Sequence, residues 1–176
     1  MRQTASTLLI CTLLTACQGM PDKPIPTVAN VDLQRFMGDW YVIANIPTFI
    51  ESGAYNAVES YALLDSTTIK TTFKFNQDGF NGPLKVYNPT GYVVDTESNA
   101  HWDMQFFWPF KSEYRIVFLD KNYQHTIIGR SKRDYLWIMS RSPDMSQAIY
   151  QQLVKRAVQL GYDEKKIKPV PQKWHN

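Results

Sequence analysis

Gly38-Asp39-Trp40-Tyr41 is the point where a short polar lead-in gives way to the first long apolar stretch, Trp40-Tyr41-Val42-Ile43-Ala44-Asn45-Ile46. From Trp40 onward apolar residues recur at every second position or run unbroken, the pattern of strands with one or both faces covered. Pro47, which has no N–H to donate, stops the first strand. Thr48 to Ala54 carries Gly53 and no clear period, and reads as a long first loop. Strands then follow at short intervals: Tyr55–Leu63, Thr68–Phe75, Leu84–Tyr87, Gly91–Asp95, Ala100–Phe106, Tyr114–Leu119, Thr126–Gly129 and Tyr135–Ser140. Turn residues separate them at Asp65-Ser66, Asp78-Gly79, Asn88-Pro89, Pro109, Asp120–Asn122 and Lys132–Asp134. Short strands in hairpin sequence make a meander, which removes its exposed edges by closing on itself. The expected fold is therefore all-β, an eight-stranded antiparallel up-and-down barrel with Trp40 at its floor.

Upstream of that stretch, Val31–Met37 places Leu33, Phe36 and Met37 on one side of a helical turn, an N-terminal plug for the barrel. Downstream, Met145–Leu160 is the one convincing α-helix. Ile149, Leu153, Ala157 and Leu160 form a stripe, Lys155, Arg156 and Gln159 lie off it, and Gly161 ends it. Ser146 is the expected N-cap, with Met145 and Tyr150 as a hydrophobic staple, and Ser142 before Pro143 is the other possible start. A single amphipathic helix after a meander packs on the outside of the sheet. Ile167–Val170 reads as a short last strand and residues 172–176 as a tail.

The N-terminus reads as a targeting segment: Arg2, then an apolar run from Leu8 to Leu14 that is too short to span a bilayer. It ends in Leu14-Thr15-Ala16-Cys17, which resembles a bacterial lipobox, in which the Cys becomes lipidated and is the new N-terminus. The alternative is an ordinary secretory signal cut nearby, with Cys17 a free thiol. Residues 1–16 are thus a signal peptide. Residues 17–30, with Pro21, Pro24 and Pro26, form a lipidated start and a stiff tether. Residues 31–171 are the folded domain. Removing 16 residues that include Arg2 and no acid leaves 160 residues with net charge +2 and Cys17 as the only cysteine, so the folded part holds no disulfide. A charge of +2 without Lys/Arg runs leaves no footprint for nucleic acid. His101, His125 and His175 are dispersed and no cysteine remains after lipidation, so neither a metal site, a cofactor site nor a catalytic nucleophile is indicated.

Three short motifs occur in order: Gly38-x-Trp40, Leu119-Asp120-x-x-Tyr123, and Arg141 after the last strand of the meander. Together they resemble the signature of the lipocalins. Trp40-Tyr41-x-Ile43-Ala44, Phe106-Phe107-x-Pro109-Phe110, Asp134-Tyr135-Leu136-Trp137-Ile138 and Ser140-Arg141-x-Pro143 are similar to the bacterial lipocalin (Blc) subgroup, related to apolipoprotein D and plant temperature-induced lipocalins. Val42, Asn122 and Trp108 depart from that pattern. The resemblance implies a lipocalin calyx, shut near Trp40 and open at the other end, that holds a small hydrophobic ligand. It also implies structural roles for Gly38, Trp40, Asp120, Tyr123 and Arg141, with the Arg141 guanidinium stacked on the indole. Members of the subgroup are outer-membrane lipoproteins, and Gln18 after the cysteine agrees with an outer-membrane, lipid-anchored protein facing the periplasm.

Alternation selects the lining. Ala100, Trp102, Met104 and Phe106 share one face, as do Tyr114, Ile116 and Phe118, and Tyr135, Trp137 and Met139. On the second strand two faces are open. If Tyr55, Ala57, Glu59 and Tyr61 point inward, Glu59 enters the cavity with a raised pKa or a polar ligand partner. The candidate ligand-binding residues are Trp137, Trp102, Phe106, Tyr114, Met104, Ile116, Tyr61 and Glu59. The expected ligand has one long acyl chain, a fatty acid or lysophospholipid, bound for storage or transport rather than turned over by an enzyme. A lipocalin-fold enzyme using Glu59 as acid or base, and a filled barrel acting as an interaction module, are the alternatives. Phe106-Phe107-Trp108-Pro109-Phe110 is too apolar for an ordinary hairpin tip; gating the mouth, touching the membrane, a homodimer contact and a core-facing loop are its possible uses.

Overall fold

Pairing along Gly38–Ile46 closes the sheet. This strand, β1, bonds to β2 (Ala54–Leu63) on one side and to β9 (Leu136–Ser140) on the other. Between them the chain runs through β3 (Thr68–Gln77), β4 (Leu84–Tyr87), β5 (Thr90–Val93), β6 (His101–Phe107), β7 (Phe110–Leu119) and β8 (His125–Gly129), each antiparallel to its neighbour. β4 and β5 both pair with β3 and count as one stave, broken at Asn88-Pro89 where proline cannot donate to a ladder. Eight staves result. A short β10 (Lys168–Pro169) is added outside β1. The computed structural model describes residues 23–174; the signal segment, Cys17 and His175 lie outside the described residues.

Up-and-down topology sorts the connections to two ends. The shut end receives the β2–β3, β5–β6 and β7–β8 turns together with α1 (Leu33–Phe36), which Asp32 caps by accepting from the Arg35 N–H. Phe36 and Trp40 are wholly buried there, ring centroids 5.0 Å apart, and the Trp40 indole N–H donates to the Phe36 carbonyl at 2.9 Å. The Arg141 guanidinium lies over the Trp40 ring at 3.9 Å. It donates to the carbonyls of Arg35, Phe36, Met37 and Asp39 at 2.8–3.0 Å. Gly38 has φ +92°, and a Cβ there would stand 3.4 Å from the Arg141 guanidinium, so glycine fits both the backbone and the space. In the β7–β8 turn, the Asp120 carboxylate accepts from the N–H groups of Asn122 and Gln124, and the Tyr123 hydroxyl accepts from the Asp32 N–H. The turn is thereby fastened to the plug.

Two apolar clusters divide the protein. One fills the barrel interior; the other lies between the sheet and α2 (Gln147–Gln159), which contributes Leu153, Val154 and Ala157. Ser146 caps α2 and accepts from the Ile149 N–H. β-Bulges pass strands from one cluster to the other. On β1, Trp40 and Val42 face inward, whereas after a register shift Ala44 and Ile46 face the helix. On β7 a shift between Ile116 and Phe118 corrects the expectation for Phe118: alternation placed it inside, but Val117 and Phe118 both turn to the helix side, with Arg156 over the Phe118 ring at 4.5 Å. Lys23–Asn30, read as part of a spacer, lies along the wall. Ile25 is buried in the outer cluster and its N–H donates to the Ser131 hydroxyl, while the Val28 N–H donates to the Ile116 carbonyl.

Candidate functional site

The open end is ringed by the β1–β2, β3–β4, β6–β7 and β8–β9 connections, and beneath them lies a cavity of about 170 Å³. Its walls are mostly apolar: Phe73 from β3, Met104, Phe106 and Phe107 from β6, Tyr114 from β7 and Trp137 from β9. Phe107 and Phe110 are paired across a two-residue turn, Trp108-Pro109, whose peptide bond is cis. The tip thus ends a strand pair and does not fold back into the core: Trp108 is 84% and Phe110 76% exposed, and Phe49 on the facing β1–β2 loop is 84% exposed.

Of the residues selected by alternation, Trp137, Phe106, Tyr114, Met104 and Glu59 line this cavity. Trp102, Tyr61 and Ile116 are buried in the same interior cluster but do not line it. Phe36 and Trp40 raise the solid floor: Trp102 meets Phe36 edge-on at 5.4 Å and stacks on Tyr114 at 5.0 Å, nearly parallel. The Tyr61 and Tyr114 hydroxyls are 2.7 Å apart and share a hydrogen bond. The lower barrel is therefore a filled aromatic layer, and the cavity begins at its polar upper surface.

That surface holds groups the strand pattern did not select. Glu51, from the first loop, is buried; its carboxylate accepts from the Asn45 amide at 2.9 Å, the Thr48 hydroxyl at 2.8 Å and the Trp137 indole N–H at 2.7 Å. Loop residues are ordinarily exposed, and the only sequence clue was a carboxylate between apolar Phe49-Ile50 and Gly53. Thr71 faces inward from the alternating face Ile69, Thr71, Phe73, Phe75 and lines the cavity. Its hydroxyl is buried without a hydrogen-bond partner among the described residues. Glu59 resolves the ambiguity of the second strand: after a bulge between Tyr55 and Val58, with Asn56 at φ +49°, Ala57, Glu59 and Tyr61 point inward.

Burial, and to a smaller degree the charge of Glu51, pushes the Glu59 carboxyl up to about 8, so it holds its proton at neutral pH and is bonded to the Tyr61 hydroxyl. Burial also raises the Glu51 carboxyl, against the pull of its donors. The Tyr114 hydroxyl is pushed well above the ordinary range by burial and then by Glu59. No Lys or Arg is among the lining residues, and Glu113 at the edge is already paired with Arg115. The site can thus enclose an apolar body and offer acceptors at its inner end. Among the described residues no group of three or more His, Cys, Asp or Glu could hold a metal ion.

Residues 31–172 match the family described as "Lipocalin-like domain". The chain is 32% identical over 159 residues to the outer membrane lipoprotein Blc of Citrobacter freundii, covering 88% of each. It is 32% identical over 158 residues to temperature-induced lipocalin-1 of Arabidopsis thaliana, covering 85% of this chain and 84% of that protein. Among solved structures, lobster apocrustacyanin A1 superposes with a TM-score of 0.65 at 12% identity, over 88% of this chain and 94% of that one. Insecticyanin from the tobacco hornworm superposes with 0.66 at 15% identity, over 86% and 85%. Closed eight-stave barrel, plugged floor, outer helix and sequence match agree, and this chain belongs to the lipocalin family.

Proposed function

We propose that the protein binds one small hydrophobic molecule with a single acyl or alkyl chain, of the fatty acid or lysophospholipid kind, and stores or transfers it at the bacterial outer membrane, held there from the periplasmic side through lipidated Cys17. The observation that carries this reading is the cavity itself: above the filled aromatic layer the barrel is left open over Tyr114, behind walls of Phe73, Met104, Phe106 and Trp137. Its small volume supports one chain rather than two. Each methylene withdrawn from water contributes about 0.8 kcal/mol, so six or seven buried methylenes reach about 5 kcal/mol before ordering costs. The exposed Phe49, Trp108 and Phe110 supply an apolar rim through which such a chain can pass from a lipid surface.

Lipocalins bind small hydrophobic ligands, and the relatives named outer membrane lipoprotein support the location. The reading is of a binder, not an enzyme. Glu59, Tyr61 and Tyr114, at and beneath the cavity floor, are tied to one another by hydrogen bonds. The test is titration of detergent-free protein with lysophospholipid and fatty acid, following tryptophan emission and recovering bound lipid by mass spectrometry. Saturable change of Trp137 emission is expected; unchanged emission with no lipid recovered refutes the proposal.

A further inference from the structure

We infer that the polar wall of the cavity, which Glu51, Glu59 and Thr71 line together with Trp137 and Tyr114, is a subsite for a cationic nitrogen, so that the preferred ligand is a single-chain alkyl ammonium taken head first. This rests on the reading of the cavity as a site for a single-chain amphiphile and adds which head it selects.

The three groups hydrogen-bonded to the Glu51 carboxylate are an amide N–H, a hydroxyl and an indole N–H. All serve it as donors, which is the environment of an anion, and the indole N–H can do nothing else. Glu59, bonded to Tyr61, keeps a proton beside it. Burial raises the Glu51 carboxyl, and no Lys or Arg among the lining residues is present to favour its ionised form. A buried charge without a counter-ion is costly, and a ligand that brings the missing cation relieves it.

Thr71 is a second, independent observation that a polar ligand group belongs here. Its hydroxyl is buried at the cavity wall, directly across from Tyr61 in the β2–β3 ladder, and has no partner among the described residues. A polar group of the ligand would satisfy it, and an ammonium N–H is one that can. The walls suit the same head. The Tyr114 and Trp137 rings lie 25° from parallel with centroids 6.5 Å apart, and aromatic faces attract an ammonium group as they do not a carboxylate. A fatty acid entering head first would bring a second anion against Glu51; it must bind, if at all, with its carboxylate at the mouth.

The experiment compares dodecylammonium, dodecanol and dodecanoate, each below its aggregation concentration, against the purified full chain at pH 7 by calorimetry and tryptophan emission. Dodecylammonium is expected to bind at least tenfold more tightly than dodecanoate, with dodecanol between them. Glu51→Gln should reduce the amine-to-carboxylate ratio to less than threefold, and Thr71→Val should weaken the amine and dodecanol more than dodecanoate. Equal affinity for amine and carboxylate, or preference for the carboxylate, overturns the inference and leaves the proposed function standing. Absence of binding by all three overturns both. If Glu51→Gln loses dodecanol as well, the fold has been damaged and the ratio in the unsubstituted protein decides.

Discussion

Arg141 donates to the carbonyls of the plug while its guanidinium covers the Trp40 ring, so substitution removes charge-assisted hydrogen bonds and a cation–π contact together. Arg141→Ala is expected to lower stability by about 3 kcal/mol, read from the urea midpoint. Ligand affinity should change less than threefold, because Phe36, Trp40 and Trp102 separate the plug from the cavity. Glu59 yields a pH dependence. Its carboxyl titrates near 4.5 in the unfolded chain and near 8 in the fold. Between those values the fold retains a proton that the unfolded chain has released. Its contribution is therefore fully present below about pH 4.5 and is lost, by up to about 1.4 kcal/mol per pH unit, as pH rises to about 8. Glu59→Gln should gain on the unsubstituted protein in urea midpoints taken from pH 5 to pH 8. A difference that does not change with pH refutes the assignment.

The β6–β7 hairpin presents Trp108 and Phe110 to solvent without burying them in either cluster. Replacing both by Ser should leave stability within about 0.5 kcal/mol and reduce co-sedimentation of unlipidated protein with phospholipid vesicles. Undiminished co-sedimentation would show that the tip is not the contact. At this scale the strands, the plug and the helix were all legible, because each has a period and a terminating residue such as Pro47, Gly161 or the Ser146 cap. Bulges were not legible. A two-residue period predicts that Ile116 and Phe118 share a face, and one extra residue in β7 sends Phe118 to the helix. Alternation also assigns a face without a depth. Trp102, Tyr61 and Tyr114 all point inward, yet only Tyr114 reaches the cavity, since the height of the floor is set by Phe36 arriving from another element. Glu51 escaped for a third reason: its burial comes from the donors Asn45, Thr48 and Trp137, two of them loop-adjacent and one far along the chain.

Across the whole molecule, the shut end is solid and hydrogen-bonded, whereas the open end combines the cavity with the exposed rim. The arm that precedes the plug joins the two. From Val31, whose N–H donates to the Ser98 carbonyl at the shut end, it climbs the wall past Val28 and Ile25 to Lys23. There the Lys23 carbonyl accepts from the Arg133 guanidinium at 2.7 Å, in the β8–β9 connection of the open end. Only six residue steps separate Lys23 from Cys17, a reach of at most about 20 Å when fully extended. A lipid on Cys17 would therefore act as a short leash knotted at the rim, not at the base. It would keep the mouth, rather than the plugged floor, within about 20 Å of the leaflet that anchors it.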